Sequence, residues 1–310
     1  MHAALLNLIS TPAAVLPQMK LELSMGLSSE DPMVGRHPSE PYDVYLSVYA
    51  PDGGLAKREA LGRLAPHRRQ LFDVSSIVRP FEFQGNHLVV MHRVPASLAE
   101  RYGTIEEPVS LPDETDYMMF RSYVQYAYAG SGGAHGGIIY EIPHRFNEPA
   151  PGKRPSAVLT FTTKIALSEA VETSVVLINC STTPRYQTTA EYAYTIYAGN
   201  GTHVATGSRR VAPFTVEALQ MRDLIPAQAV AEARDPHDGL SHFCFYGICE
   251  QAALAILVLN LAPAQRGVSV EHTHPTQGYL MPSSEADQHR VKREAIAGWR
   301  LLMASTRGAE

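Results

Sequence analysis

Residues 268–275 (VSVEHTHP) hold the spacing in this chain best suited to chemistry. Side chains on a strand alternate with a period of two, so Val268, Val270, His272 and His274 share one face and Ser269, Glu271 and Thr273 the other. Two imidazoles so placed can bind zinc or iron if other donors complete the shell. Residues 241–247 (SHFCFYG) offer the completion: His242, Cys244 and Tyr246 alternate onto one face, opposite Phe243 and Phe245. A metal-dependent enzyme would use His272 and His274 as ligands, with His242 or Glu271 as a further ligand or base. The structural alternative is a pair of histidines hydrogen-bonded at the rim of a core, and a buried cysteine packed among aromatic rings.

A second candidate lies in residues 118–144. Strand alternation puts Phe120, Val124, Tyr126 and Tyr128 on one face, and a glycine-rich loop (GSGGAHGG) leads to a short strand over 137–141. Tyrosine combines area with a polar tip, so Tyr126, Tyr128, His135 and His144 make a candidate ligand set for an apolar, aromatic or sugar-like molecule. Tyrosines also suit a β-sheet for packing reasons alone. The glycine loop is no phosphate cradle, because it runs into a strand and supplies no lysine. The His-x-His strand is similar to the way cupin barrels present two metal ligands, but no Glu follows at the cupin spacing, and Pro275 and Gly278 end the strand early. Nucleophile elbow, Walker loop, dinucleotide fingerprint and His-Glu-x-x-His helix are all missing.

The elements that must position these residues come in two matching series. Residues 48–78 and 193–226 each contain an alternating strand, a Gly-centred turn (Pro51-Asp52-Gly53-Gly54 against Gly199-Asn200-Gly201-Thr202), a polar return strand and an Ala-Pro break. Asp-Gly and Asn-Gly between alternating runs mark hairpins, because the turn needs positive φ. Residues 19–25 match 173–179 in order, and residues 87–92 are paired with 253–260. Tyr49 is set against Tyr197 and Pro66 against Pro213, so Leu46, Val48, Tyr194 and Ile196 should be buried. Ser47 and Thr195 should face outward or toward the other unit. The expected fold is all-β: two tandem Ig-like β-sandwich units related by internal duplication, over 1–150 and 151–310, plus a C-terminal α-helix. The linker is placed at 147–155 (NEPAPGKRP). Short helical spacing follows Pro226, over 227–234. The long helix spans 284–305, and its stripe of Val291, Ala295, Trp299 and Leu302 docks on the protein's own sandwich or, as the alternative, on a second subunit.

Composition narrows the partners. With 310 residues, 45% hydrophobic, 18% charged and a formal net charge of -5, the chain is globular and lacks the basic excess needed to neutralise phosphates. Nucleic acid is not an expected partner, and the pairs Arg68-Arg69 and Arg209-Arg210 read as solvated. No apolar run reaches the roughly 18 residues of a membrane span. The three cysteines match no zinc or redox spacing, and the apolar run 3–9 has no Lys or Arg before it, so the expected location is cytoplasmic. The first expectation for function is a non-catalytic protein binding a small ligand or a protein partner at the junction of the sandwiches, with no cofactor. The metal enzyme, with zinc or iron, and a structural protein forming homo-oligomers are the alternatives, and whether the chain is an enzyme stays open.

Overall fold

The computed structural model describes residues 3–4, 9–28, 41–65, 68–96, 109–110, 122–130, 135–138, 142–143, 158–181, 186–252, 254–272 and 285–307. Eight strands build a first sandwich: β1 (Ile9–Val15), β2 (Leu21–Ser28), β3 (Tyr42–Tyr49), β4 (Leu55–Leu64), β5 (Arg69–Asp73), β6 (His87–Pro95), β7 (Ser122–Tyr128) and β8 (His135–Ile138). Eight more build a second: β9 (Val158–Leu167), β10 (Glu172–Asn179), β11 (Ala190–Ala198), β12 (His203–Val211), β13 (Thr215–Gln220), β14 (Ser241–Cys249), β15 (Ala255–Ala262) and β16 (Gly267–His272). The helices are α1 (Val74–Val78), α2 (Met221–Leu224), α3 (Ala227–Glu232) and α4 (Glu285–Arg307). The fold is thus all-β, and the long C-terminal helix lies where the apolar periodicity places it.

Sheet I runs β8-β7-β2-β5 and sheet II β1-β6-β3-β4, with the two-residue strand Ile142–Pro143 beside β1; sheet III runs β13-β10-β15-β16 and sheet IV β9-β14-β11-β12. Every pairing is antiparallel. Adding eight to each strand number of the first sandwich reproduces the order of the second. The hairpins agree in detail. A one-residue register shift falls between Val48 and Tyr49 in one and between Ile196 and Tyr197 in the other. Ala50 N–H donates to Gly54 O at 2.8 Å, and Ala198 N–H to Thr202 O at 2.8 Å. Gly53 and Gly201 take φ of 87° and 86°, values that a side chain rarely tolerates.

Connectivity corrects one pairing read from the sequence. The counterpart of β6, which carries His87 to His92, is β14; β15 corresponds to β7. The strand expected over 137–141 starts earlier, at His135, and pairs with β7. Pro66, the linker over 147–155 and Ser284 lie outside the described residues.

Sheet III is apolar on both faces, and this joins the two sandwiches. Val175, Leu177, Ile256 and Val258 point into the core of the second sandwich, while Val176, Ile178, Leu257, Leu259 and Val270 belong to a core shared with sheets I and II. The outer face of sheet II meets them with Ala14, Leu88, Val90 and Tyr49, all at most 6% exposed. Uninterrupted apolar runs in β10 and β15 are the sequence signature of strands buried on both sides. Leu46, Val48, Tyr194 and Ile196 are buried as the alternation requires. Ser47 faces the second sandwich and is itself fully buried, its Oγ 2.9 Å from His92 Nε2 and accepting from Arg58 Nε at 3.1 Å. Burial, and then the Arg58 charge, lowers the His92 pKa to about 3, so the imidazole is neutral.

Candidate functional site

The outer face of sheet IV carries a row of partly exposed aromatic side chains and a cleft. Even-numbered residues of β14 point outward because Phe243 and Phe245 are in the core. Register then sets Tyr246 opposite Phe161 of β9 and Thr195 of β11, and Tyr197 opposite Cys244 and His203. Rings follow one another across four strands. Phe161 to Tyr246 is 4.9 Å between centroids, Tyr246 to Tyr197 5.8 Å and Tyr197 to His203 5.5 Å, mostly edge to face. Phe161, Tyr246 and Tyr197 are half-buried and His203 is exposed.

Helix α4 lies over the same face. Ile296, Trp299 and Met303 recur at helical spacing and pack on Leu159, Ile248 and Ala193. Trp299 meets Tyr246 edge-on at 5.9 Å, and Arg300 forms an ion pair with Glu250, its Nε donating to Oε1 at 2.8 Å. Beyond Ile248, away from the ring row, a cleft of about 340 Å³ is lined by Glu191, Ala193, Ser208, Arg210, Glu250 and Gln251 among others. Arg210 stands opposite Glu191 on the β11–β12 ladder. The face thus combines apolar rings with both hydrogen-bond donors and acceptors.

Neither Tyr246 nor Cys244 is activated as a base or nucleophile. Burial, helped by Cys244 and Tyr197, raises the Tyr246 phenol, and burial raises the Cys244 thiol, so both stay protonated at neutral pH. Among the described residues no three His, Cys, Asp or Glu converge as a metal would need.

The residues singled out from sequence are dispersed. Tyr126 is 1% exposed in the core; its hydroxyl donates to Ala14 O at 2.8 Å and accepts from Ala14 N–H at 3.2 Å, satisfying the edge of β1. Tyr128 is buried too, its phenol raised by burial and by Glu172. His135 opens β8 opposite Ala127, and His272 ends β16 opposite Leu257. His144 and His274 lie outside the described residues. His242 does share the outer face of β14 with Cys244 and Tyr246, and its Nε2 is 2.8 Å from Asp238 Oδ2. It belongs to sheet IV, whereas His272 belongs to sheet III. Those two histidines are not brought together. Glu271 is ion-paired with Lys164. Sequence reading passed over Phe161 and His203 and gave Tyr197 no part in a site, while Arg209 and Arg210 are exposed as read. Strand pairing supplies the signal for Phe161 and Tyr246: Pro12 and Val90 of sheet II, buried under sheet III, stand where these two stand in sheet IV.

Neither a protein-family model nor a curated protein matches the sequence. Solved structures similar in part include a calcium-binding mutant of Bacteroides uniformis beta-glucuronidase 2 (12% identity, 85% of this chain and 26% of that chain, TM-score 0.17). A putative beta-galactosidase from Bacteroides fragilis has 9% identity over 88% of this chain and 33% of that one, TM-score 0.18. Beta-D-glucuronidase of Dictyoglomus thermophilum has 10% identity over 85% and 35%, TM-score 0.15. The chain spans about a quarter to a third of the length of these proteins, and TM-scores of this size carry no functional inference.

Proposed function

We propose that this chain is a non-catalytic binding protein whose working surface is the outer face of sheet IV, and that its ligand is sugar-like or aromatic. The observation that carries the reading is the difference between corresponding faces. Sheet II covers its outer face with a second sandwich and fills it with Pro12, Ala14, Leu88 and Val90. Sheet IV, left partly open, has rings at the matching positions, Phe161 and Tyr246, with Tyr197 and His203 continuing the row. Rings exposed beside a polar cleft suit a molecule with an apolar C–H or aromatic surface and a polar rim. The common connectivity also favours one ancestral β unit used twice, the second copy turned to binding. The junction between the sandwiches, the place first expected for the ligand, is packed with apolar side chains.

The single tryptophan abuts Tyr246, so its emission reports occupancy of the row. Titration of the full chain with neutral oligosaccharides, acidic oligosaccharides and aryl glycosides should give saturable change with at least one class, lost in Tyr246→Ala. A folded protein whose emission and calorimetric heats respond to none of the three classes would remove the reading.

A further inference from the structure

Helix α4 touches both halves of the ligand face: Trp299 lies on Tyr246 of the ring row, and Arg300 holds Glu250 of the cleft wall. Between them it packs on Leu159, Ile248 and Ala193, with the ring row on one side and the cleft on the other. On sheet II the matching face is closed by an entire sheet through a continuous core, whereas α4 closes this one with Ile296, Trp299, Met303 and an exposed ion pair. Part of the helix faces solvent: Gly298 sits beside Trp299 with open space where a Cβ would be, and Leu301 is 73% exposed. Tyr246 and Cys249, the end of β14 beside Glu250, are three residues apart, about 10 Å of strand, a span that a single sugar ring does not bridge.

From this geometry, and resting on the ligand-face reading above, we infer that α4 is a displaceable strap: a short ligand occupies the ring row beside it, and an oligosaccharide long enough to reach the cleft must lift it. Ligand and helix then compete for Leu159 and Ile248, and by linkage each weakens the other by the same factor. Hydrogen exchange of residues 285–307 in the full chain, measured against a ladder of oligosaccharides from one to six units, should show α4 losing protection with the longer members only. Trp299 emission should shift to the red with the same members.

The helix variant Ile296→Asp/Met303→Asp, altered away from the row, should bind long ligands more tightly by about fivefold or more, the low end of coupling between two sites. Its affinity for one-unit ligands should be unchanged. If the chain binds long ligands while α4 protection and Trp299 emission stay as they were, the strap is refuted and the ligand face stands. If neither protein binds any member of the ladder, in neutral or acidic form, the strap falls; if aryl glycosides fail as well, the ligand face falls with it. Should the variant fail to fold, the exchange data on the unaltered chain decide alone.

Discussion

The Tyr49 ring lies flat on Phe214, centroids 4.7 Å apart and planes 5° from parallel, and the stack fastens the hairpin of the first sandwich to the second. Phe214 holds this place at φ 58°, a left-handed backbone that costs a non-glycine residue about 1–2 kcal/mol. Its ring also meets Tyr186 edge-on at 6.0 Å. Phe214→Ala should therefore cost about 3 kcal/mol, from lost burial and lost stacking together. Urea unfolding followed by circular dichroism and by Trp299 emission checks it. Both probes should still fall in one transition, since the core is shared; two separated transitions would contradict the joint core.

Gly53 and Gly201 allow the docking to be weighed apart from backbone strain. Both have positive φ, but a Cβ on Gly53 would stand 2.3 Å from Pro213 O, whereas one on Gly201 meets nothing within 4 Å. Gly201→Ala should cost about 1–2 kcal/mol, the left-handed penalty alone. Gly53→Ala should cost measurably more, because the hairpin must move off the second sandwich. Equal losses in thermal or urea unfolding would show that the contact has no energetic weight.

Acid sensitivity follows from His92. Its folded pKa, about 3, lies below the ordinary 6.5 because burial and then Arg58 oppose the charge. Above pH 6.5 both folded and unfolded states are neutral and nothing is lost. As pH falls from 6.5 toward 3 the unfolded chain takes up a proton that the folded chain refuses, so stability declines, by about 2 kcal/mol at pH 5. His87, lowered by burial in the same direction, adds to the slope. Unfolding free energies between pH 7 and 4.5 should fall less steeply in His92→Asn than in the unaltered chain; parallel curves would exclude His92 as a source.

Tyr246→Ala tests the ring row from the stability side. The side chain is half-buried between Phe161, Tyr197 and Trp299, so its loss should cost only about 1–2 kcal/mol, below the 3–5 of a core aromatic. Trp299 emission should move to the red as its neighbour disappears. A loss above about 4 kcal/mol would mark Tyr246 as structural and weaken its assignment to a ligand face.

Much of the fold is legible in the sequence because hairpins are local: Gly53 and Gly201 fix their turns, and alternation along β3 and β11 assigns each side chain to a face. The runs TSVVLIN and ALAILVLN likewise state that both faces of sheet III are covered. What local pattern does not contain is which strand lies beside which. Pairing residues 87–92 with 253–260 matched two apolar strands that occupy different sheets. The ring row is assembled from β9, β14, β11 and β12, neighbours in space in an order unlike their order in the chain, so Phe161 and Tyr246 looked unrelated. Tyr126 shows the opposite difficulty: its face is given correctly by parity, but parity does not say whether that face meets a ligand or, as here, the backbone of Ala14.

The two-faced apolar character of sheet III has a consequence for synthesis. A ribosome completes the strands of sheets I and II before it reaches β10, so the nascent first sandwich carries Ala14, Leu88, Val90 and Tyr49 on a bare outer surface until residues 172–262 have emerged to cover it. At elongation rates of about 5–20 residues per second this exposure lasts several seconds or more. Translational pausing within residues 143–171 would prolong it, whereas chaperones that shield apolar β-surface would find this face of sheet II on the half-made molecule and not on the finished one.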